Sequence, residues 1–258
     1  EVWVRFFSGG EHSLTFEAFL HCKSRSACLM NVKRLDLFRL VPTVPSEYCS
    51  DLVSPMVALL AAAMKHSEPG TQRDKFVFVS HNSLPVKPFW RAHQILTEHQ
   101  DGMAFFKFPN TTRCGLFKAS QWSALSYWHA ERMLQASAAV GERGPPLMKK
   151  VAALRCGRCL DESWPLASIF GEEQLQRFPE VPESLRPQAT TWVEWPDEGE
   201  DGINFRPLAY DTITEEFLTF LRSHPALVFM RKVHMRTKFD GSVDLSLPEA
   251  WDTYVLDT

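Results

Sequence analysis

The sequence predicts an α/β layered fold. Segments of helical period alternate along the chain with short β-branched and aromatic runs. Clusters of Pro and Gly separate these segments. Hydrophobic residues make up 45% and charged residues 23%, the balance of a globular chain with a sizeable core, and the 8 Trp and 19 Phe make that core aromatic-rich. A length of 258 residues suits one large α/β domain or two small ones. No internal repeat or evident linker divides it, so a single domain over 1–258 is the expectation.

Residues 14–20 alternate loosely and read as a strand ending at His21, with a second strand over 35–41. A helix is expected over 51–66, because Leu52, Met56, Leu59, Leu60 and Ala63 recur at helical spacing and Ser50 or Asp51 can cap its start. Glu68-Pro69-Gly70 then breaks the chain. Phe76-Val77-Phe78-Val79, between Lys75 and Ser80, fits a strand covered on both faces. Residues 81–88 read as a loop, 89–99 as a helix, 121–126 as a short strand and 128–139 as a helix. Residues 141–146 break that helix, and 161–170 are moderately helical. Thr, Val and Trp make 190–195 a strand, and the acidic run 197–201 a solvated loop. An amphipathic helix over 214–223 and a strand over 226–230 follow.

Net charge is -3 and the pI about 6.3, which argues against an electrostatic nucleic-acid binder. A local basic cluster for a diphosphate remains compatible with that balance. The six cysteines permit disulfides without establishing them. Cys156-Gly-Arg-Cys159 is a lone CxxC; a zinc site would need a second ligand pair, so a structural role is preferred to metal or redox chemistry. The longest apolar stretch, 55–64, is too short to span a bilayer. Asn110-Thr111-Thr112 fits the N-glycosylation sequon, usable only in the secretory pathway.

Periodicity yields no reaction; short motifs do. In order along the chain stand Trp3-Val4-Arg5-Phe6-Phe7, the stretch from Lys75 through Ser83-Leu84-Pro85, and Ala119-Ser120-Gln121-Trp122 with its Leu125-Ser126 ending. Cys159-Leu160-Asp161-Glu162, Thr190-Thr191-Trp192-Val193-Glu194-Trp195 and Phe229-Met230-Arg231-Lys232-Val233 follow. This series resembles the core-2/I-branching β-1,6-N-acetylglucosaminyltransferase family and its plant and algal relatives, most strongly over 75–233. The resemblance implies a GT-A-like, Rossmann-type α/β/α sandwich with a mixed sheet, holding a nucleotide at the carboxyl ends of its strands. It also implies an inverting transfer of a sugar, with N-acetylglucosamine and xylose as candidates, from a UDP-sugar donor to a hydroxyl of a glycan or glycoprotein acceptor.

Glu162 falls on the family's catalytic carboxylate and is the expected general base; Asp161 beside it orients the loop, caps a helix or meets donor or acceptor. Without the resemblance, an acidic pair at a helix N-terminus is the simpler reading of both. No Asp-x-Asp occurs in the chain. The family dispenses with a metal, so no cofactor is expected, and Lys232 falls on the Lys that contacts the diphosphate. Arg231 stands beside it and Arg206 upstream, near a second phosphate-binding Arg of relatives. Adjacent strand residues point to opposite faces, so only one of Arg231 and Lys232 is expected to enter the site, with Lys232 preferred. His81, Asn82 and Ser83 follow a strand, a common place for donor or acceptor contacts, although turn chemistry explains them equally well. Gln121 and Trp122 are candidates for the acceptor side, where sugars stack on aromatic faces.

The chain departs from the family on the nucleotide side. The strand that precedes Glu1 in relatives is absent, Cys49-Ser50 stand where relatives have Trp-Gly or Trp-Ser, and Cys22-Lys23 replace an acidic neighbourhood. A non-catalytic carbohydrate- or nucleotide-binding relative is therefore the alternative. By resemblance, the full-length protein is a type II membrane protein with this domain in the Golgi lumen, the membrane segment lying outside this chain.

Overall fold

The computed structural model describes residues 1–8, 16–32, 34–48, 51–107, 119–138, 164–171, 183–195 and 207–256. Helix α1 (Val2–Ser8) is followed by β1 (Phe19–Leu20), α2 (Arg25–Asn31) and β2 (Arg39–Leu40). The Ser24 hydroxyl accepts the Ala27 N–H to cap α2, and a Cys22–Cys28 disulfide ties that helix to the residues before it. Helix α3 (Val53–Ala63) runs on into a 3-10 turn at Met64–His66, close to its expected span. The Asp51 carboxylate receives the Ser54 N–H at 2.9 Å, as a capping side chain should. The expected break comes at Gly70, whose φ of 79° suits glycine.

Next come β3 (Lys75–Val77), β4 (Ser83–Pro85), α4 (Phe89–Thr97), β5 (Ala104–Phe105), β6 (Ala124–Ser126), α5 (Tyr127–Ala138) and α6 (Trp164–Phe170). The chain continues through β7 (Leu185–Arg186), β8 (Thr191–Val193), β9 (Tyr210–Thr214), α7 (Glu215–Ser223), β10 (Phe229–Arg231), β11 (Val233–Asp240) and α8 (Leu247–Trp251), with a final turn at Asp252–Leu256. The Thr214 hydroxyl caps α7 by accepting the Phe217 N–H, and a Ser246/Glu249 capping box opens α8.

Several expectations need correction. Only Phe19–Leu20 of 14–20 is a described strand, and 35–41 divides into a 3-10 turn at Leu35–Leu37 and a two-residue strand. Residues 81–88 are not all loop, since Ser83–Pro85 pairs with Phe229–Arg231. Phe76–Val79 is not a fully buried strand: the strand is Lys75–Val77, its residues are half-buried, among the described residues it pairs with β6 alone, and it gives way to an exposed Val79. A four-residue apolar run does not reveal its neighbours, which is why the period misled there. Strands β9 and β11 had no counterpart in the expectation, although Val233, Met235, Thr237 and Phe239 of β11 sit at the two-residue spacing of a strand.

The chain is mixed α/β, and its described strands form short sheets of mixed direction. Contacts cluster into two units. The first comprises Glu1–Thr15, Val79–Glu98 and Ala189–Thr258. It holds a three-stranded sheet, β4-β10-β8, with β10 antiparallel to β4 and parallel to β8, and the parallel pair β9-β11. Val86, Ile213, Leu221, Met230 and Trp251 form its core, and the Trp251 indole donates to the Pro85 carbonyl at 2.6 Å. The second unit comprises Phe16–Phe78 and His99–Gln188. It holds the parallel pair β1-β2 and a four-stranded sheet ordered β3-β6-β5-β7, around a core of Leu60, Leu125, Met133, Trp164 and Leu166. Among the described residues, no helix is long and apolar enough to cross a membrane.

Candidate site at the carboxyl ends of two parallel strands

In the first unit, β8 and β10 run parallel, with Arg231 in register with Val193. Glu194 and Lys232, each the next residue of its chain, therefore leave the sheet at the same end. On the other side of β10, Ser83 is in register with Arg231, and the Val233 N–H donates to the Asn82 carbonyl at 3.0 Å. Backbone pairing thus joins two segments nearly 150 residues apart, the turn 80–83 and the basic stretch 231–234.

The turn is built by its own small polar side chains. The Ser83 N–H donates to the Ser80 carbonyl at 3.0 Å, the Ser80 hydroxyl donates to Asn82 Oδ1 at 2.6 Å, and the two serine hydroxyls lie 2.8 Å apart. Ser83 is fully buried and Asn82 nearly so. Both are held as turn formers, in keeping with the chemistry that favours Ser and Asn in turns. Trp3 of α1 supports the turn from outside, its indole donating to the Ser83 carbonyl at 3.0 Å. The Trp3 ring stacks near Phe7 and Phe229, and Phe6 packs on Phe89, so an aromatic cluster backs the sheet edge.

His81, by contrast, is exposed at the tip. Partial burial of its ring, and then the nearby Arg231, Lys232 and His234, hold its pKa below the ordinary histidine value. Those last three causes describe a local field: four basic side chains bear on one place in a chain of net negative charge. Such a field favours an anion.

The stretch that carries these cations is irregular. Strand β10 ends at Arg231, β11 begins at Val233, and the Arg231–Lys232 peptide is cis. Lys232 stands between the two strands and belongs to neither. Both side chains are half-buried and both act on His81. The ladder of β11 with β9 is interrupted between Val233 and Lys238. Thr237 holds that bulge, accepting the His234 N–H at 2.9 Å and donating to the Tyr210 carbonyl at 2.6 Å. Bulges of this kind re-aim side chains and are frequent beside functional sites.

Tyr210 links the basic stretch to an acid. Its N–H donates to the Lys232 carbonyl at 3.0 Å, its hydroxyl donates to Glu194 Oε2 at 2.7 Å, and the Trp192 indole donates to that hydroxyl at 2.9 Å. Burial, with Glu194 next, drives the Tyr210 pKa well above the ordinary phenol, so it remains a donor. The half-buried Glu194 is thereby oriented at the strand end that carries Lys232. The arrangement can bind an oxyanion through Arg231, Lys232, His81 and His234, beside a positioned carboxylate.

Of the residues expected from sequence, the structure brings together His81, Asn82, Ser83, Arg231 and Lys232. Gln121 and Trp122 belong to the second unit, where both are half-buried and the Trp122 N–H donates to the Ser120 hydroxyl at 3.3 Å. Asp161, Glu162 and Arg206 lie outside the described residues, as do Cys156, Cys159 and the sequon at Asn110. His21 receives the Val44 N–H on Nε2 at 3.1 Å, the structural use of a histidine at a strand end. Sequence reasoning missed His234, Glu194 and Tyr210 as members of the site. The two-residue period of 233–239 signals the strand that supplies the first; nothing local signals the other two, which matter only through pairing.

Among the described residues, no group of three His, Cys, Asp or Glu side chains could hold a metal ion. No model of a known protein family matches the chain, and no curated protein matches it.

Proposed function

We propose that the chain is the catalytic domain of an inverting, metal-independent glycosyltransferase that uses a UDP-sugar. The observation that carries this reading is the convergence of the 80–83 turn with Arg231, Lys232 and His234 at the carboxyl ends of β8 and β10. Carboxyl ends of parallel strands are where open α/β sheets bind ligands. The order of motifs that resembles the core-2/I-branching family is the second support, and a GT-A-type arrangement of the whole domain is part of the proposal.

The roles follow from the charges that move. The acceptor hydroxyl gives its proton to the Glu162 carboxylate as its oxygen attacks the anomeric carbon. The bond from that carbon to the diphosphate breaks on the opposite face, and the nucleoside diphosphate departs. Lys232 and Arg231 offset the negative charge growing on the leaving group, the task a metal performs in other transferases. A positioned base contributes about 10²–10⁴-fold. The Cys22–Cys28 disulfide is a bond of oxidising compartments, which suits a Golgi-luminal domain.

One observation favours the alternative of a non-catalytic relative: on the nucleotide side, Cys22, where the family has an acidic neighbourhood, is locked to Cys28. The deciding experiment is a screen of UDP-sugars for binding and for hydrolysis or transfer, with and without chelator. Turnover that survives chelator and is lost in Glu162→Gln is expected. No measurable binding of any nucleoside diphosphate would select the alternative. Full activity in Glu162→Gln would remove that residue from its role, and activity lost in chelator would overturn the metal-free mechanism.

A further inference from the structure

A second group of cations in the first unit lines a cavity of its own. Lys87, Pro88, Trp90 and Arg91, at the start of α4, face Arg222 through Pro225 at the end of α7 across a cavity of about 210 Å³. Three permanent or near-permanent cations and His224 thus line one small volume, and no carboxylate is among the lining residues.

Their existing partners are neutral. Lys87 is 4% exposed, and its ammonium donates to the Leu221 carbonyl at 3.4 Å and to the Arg222 carbonyl. An ammonium has three N–H donors, so this capping of α7 still leaves one. Arg222 donates to the Tyr254 carbonyl at 3.2 Å, and Arg91 donates to the Gln94 side chain. A guanidinium carries five N–H donors, so each arginine retains donors for a further acceptor. Mutual repulsion is felt inside the group: after burial, Arg91 and then Arg222 lower the Lys87 pKa, to about 8. Trp90 stands at the rim with 58% of its surface exposed, a flat apolar face beside a cationic hole.

We propose that this cavity binds a phosphate monoester carried on a ring, the phosphate held by Arg91, Arg222 and Lys87 and the ring laid on Trp90. Planar guanidinium forks match phosphate oxygens two at a time, which favours phosphate over a halide. The ring is that of a sugar or a nucleoside; both have a face that packs on an indole. The proposal does not depend on the glycosyltransferase reading, because it uses none of His81, Arg231 or Lys232.

The test is a titration of the whole chain with inorganic phosphate, glucose 6-phosphate and uridine 5′-monophosphate at constant ionic strength, read by calorimetry and by melting temperature. It is repeated in a Lys232→Met background to silence the other cationic site. At least one ring-bearing phosphate is expected to bind roughly tenfold more tightly than inorganic phosphate, and whichever does so identifies the source of the ring. Arg91→Ala, an exposed helix position where alanine is well tolerated, is expected to weaken that binding roughly tenfold or more. Trp90→Ala should erase the advantage of the ring while leaving inorganic phosphate unchanged. Absence of binding, or the same affinity in Arg91→Ala as in the parent, would overturn the site. Equal affinity for all three probes would overturn the role of Trp90.

Discussion

Two histidines, one in each unit, titrate below the ordinary range for that residue, and their surroundings differ. His129 on α5 is fully buried; its Nδ1 lies 2.6 Å from the Ser126 hydroxyl, and Trp128 and Phe170 flank its ring. Burial, with a smaller part from Lys75, depresses its pKa to about 4. His81 is exposed at a turn; partial burial of its ring is the first cause of its shift, and Arg231, Lys232 and His234 follow. Loss of water leads in both; what sets His81 apart is that three basic neighbours, whose charge a ligand can offset, add to it. The same direction of shift therefore accompanies a packed core in one unit and a cluster of cations in the other.

The sharpest way to break that comparison is to disturb the frame of the first unit. Trp251 is completely buried and its indole ties to the Pro85 carbonyl of β4. Trp251→Ala should cost about 3–5 kcal/mol, the usual range for deleting a buried aromatic. Urea unfolding measures it, and UDP binding should fall with the sheet that carries Lys232. A loss under about 1 kcal/mol would mean that the core of this unit does not rest on Trp251.

The next effect belongs to His129. Its folded pKa, about 4, lies below the 6.5 of an unperturbed histidine. The unfolded chain therefore binds the proton first as pH falls. The stability contributed by a neutral His129 is complete above pH 6.5, declines below it and is gone below about 4, a change on the order of 3 kcal/mol. Equilibrium unfolding across that window should show stability falling with pH. His129→Phe should flatten the slope, whatever its effect on absolute stability; an unchanged slope would assign the acid sensitivity elsewhere.

The smallest effects concern the ligand. Lys232→Met should weaken UDP binding by about 1.5–3 kcal/mol, the worth of a hydrogen bond to a charged group, while leaving the melting temperature nearly unchanged. A bound diphosphate would also counter the cations around His81 and raise its pKa. Binding then takes up a proton, and UDP affinity should increase a few-fold as pH is lowered toward the His81 range. His81→Asn should abolish that increase. A pH-independent affinity in the parent chain would place the diphosphate away from His81.

Local chemistry determined much of what could be read without coordinates. The spacing of Leu52, Met56 and Leu60 is enough to specify α3, because a 3.6-residue period needs no partner to be recognised. Thr214 before Glu215 and Glu216 marks the start of α7, because a cap and a favourable dipole act within one turn. The basic pair Arg231-Lys232 was legible as a candidate through the resemblance of its motif, and the turn at His81 through its place after an apolar run. Only tertiary structure decided that these two segments meet, since β4 and β10 pair across nearly 150 residues. It also decided that Ser83 is sealed within a turn, that Tyr210 aims Glu194, and that Lys87 and Arg222 close on one cavity. Pairing and burial are properties of neighbours distant in the chain, and a residue type constrains them only weakly; periods and caps are properties of the next few residues, and the sequence contains them in full.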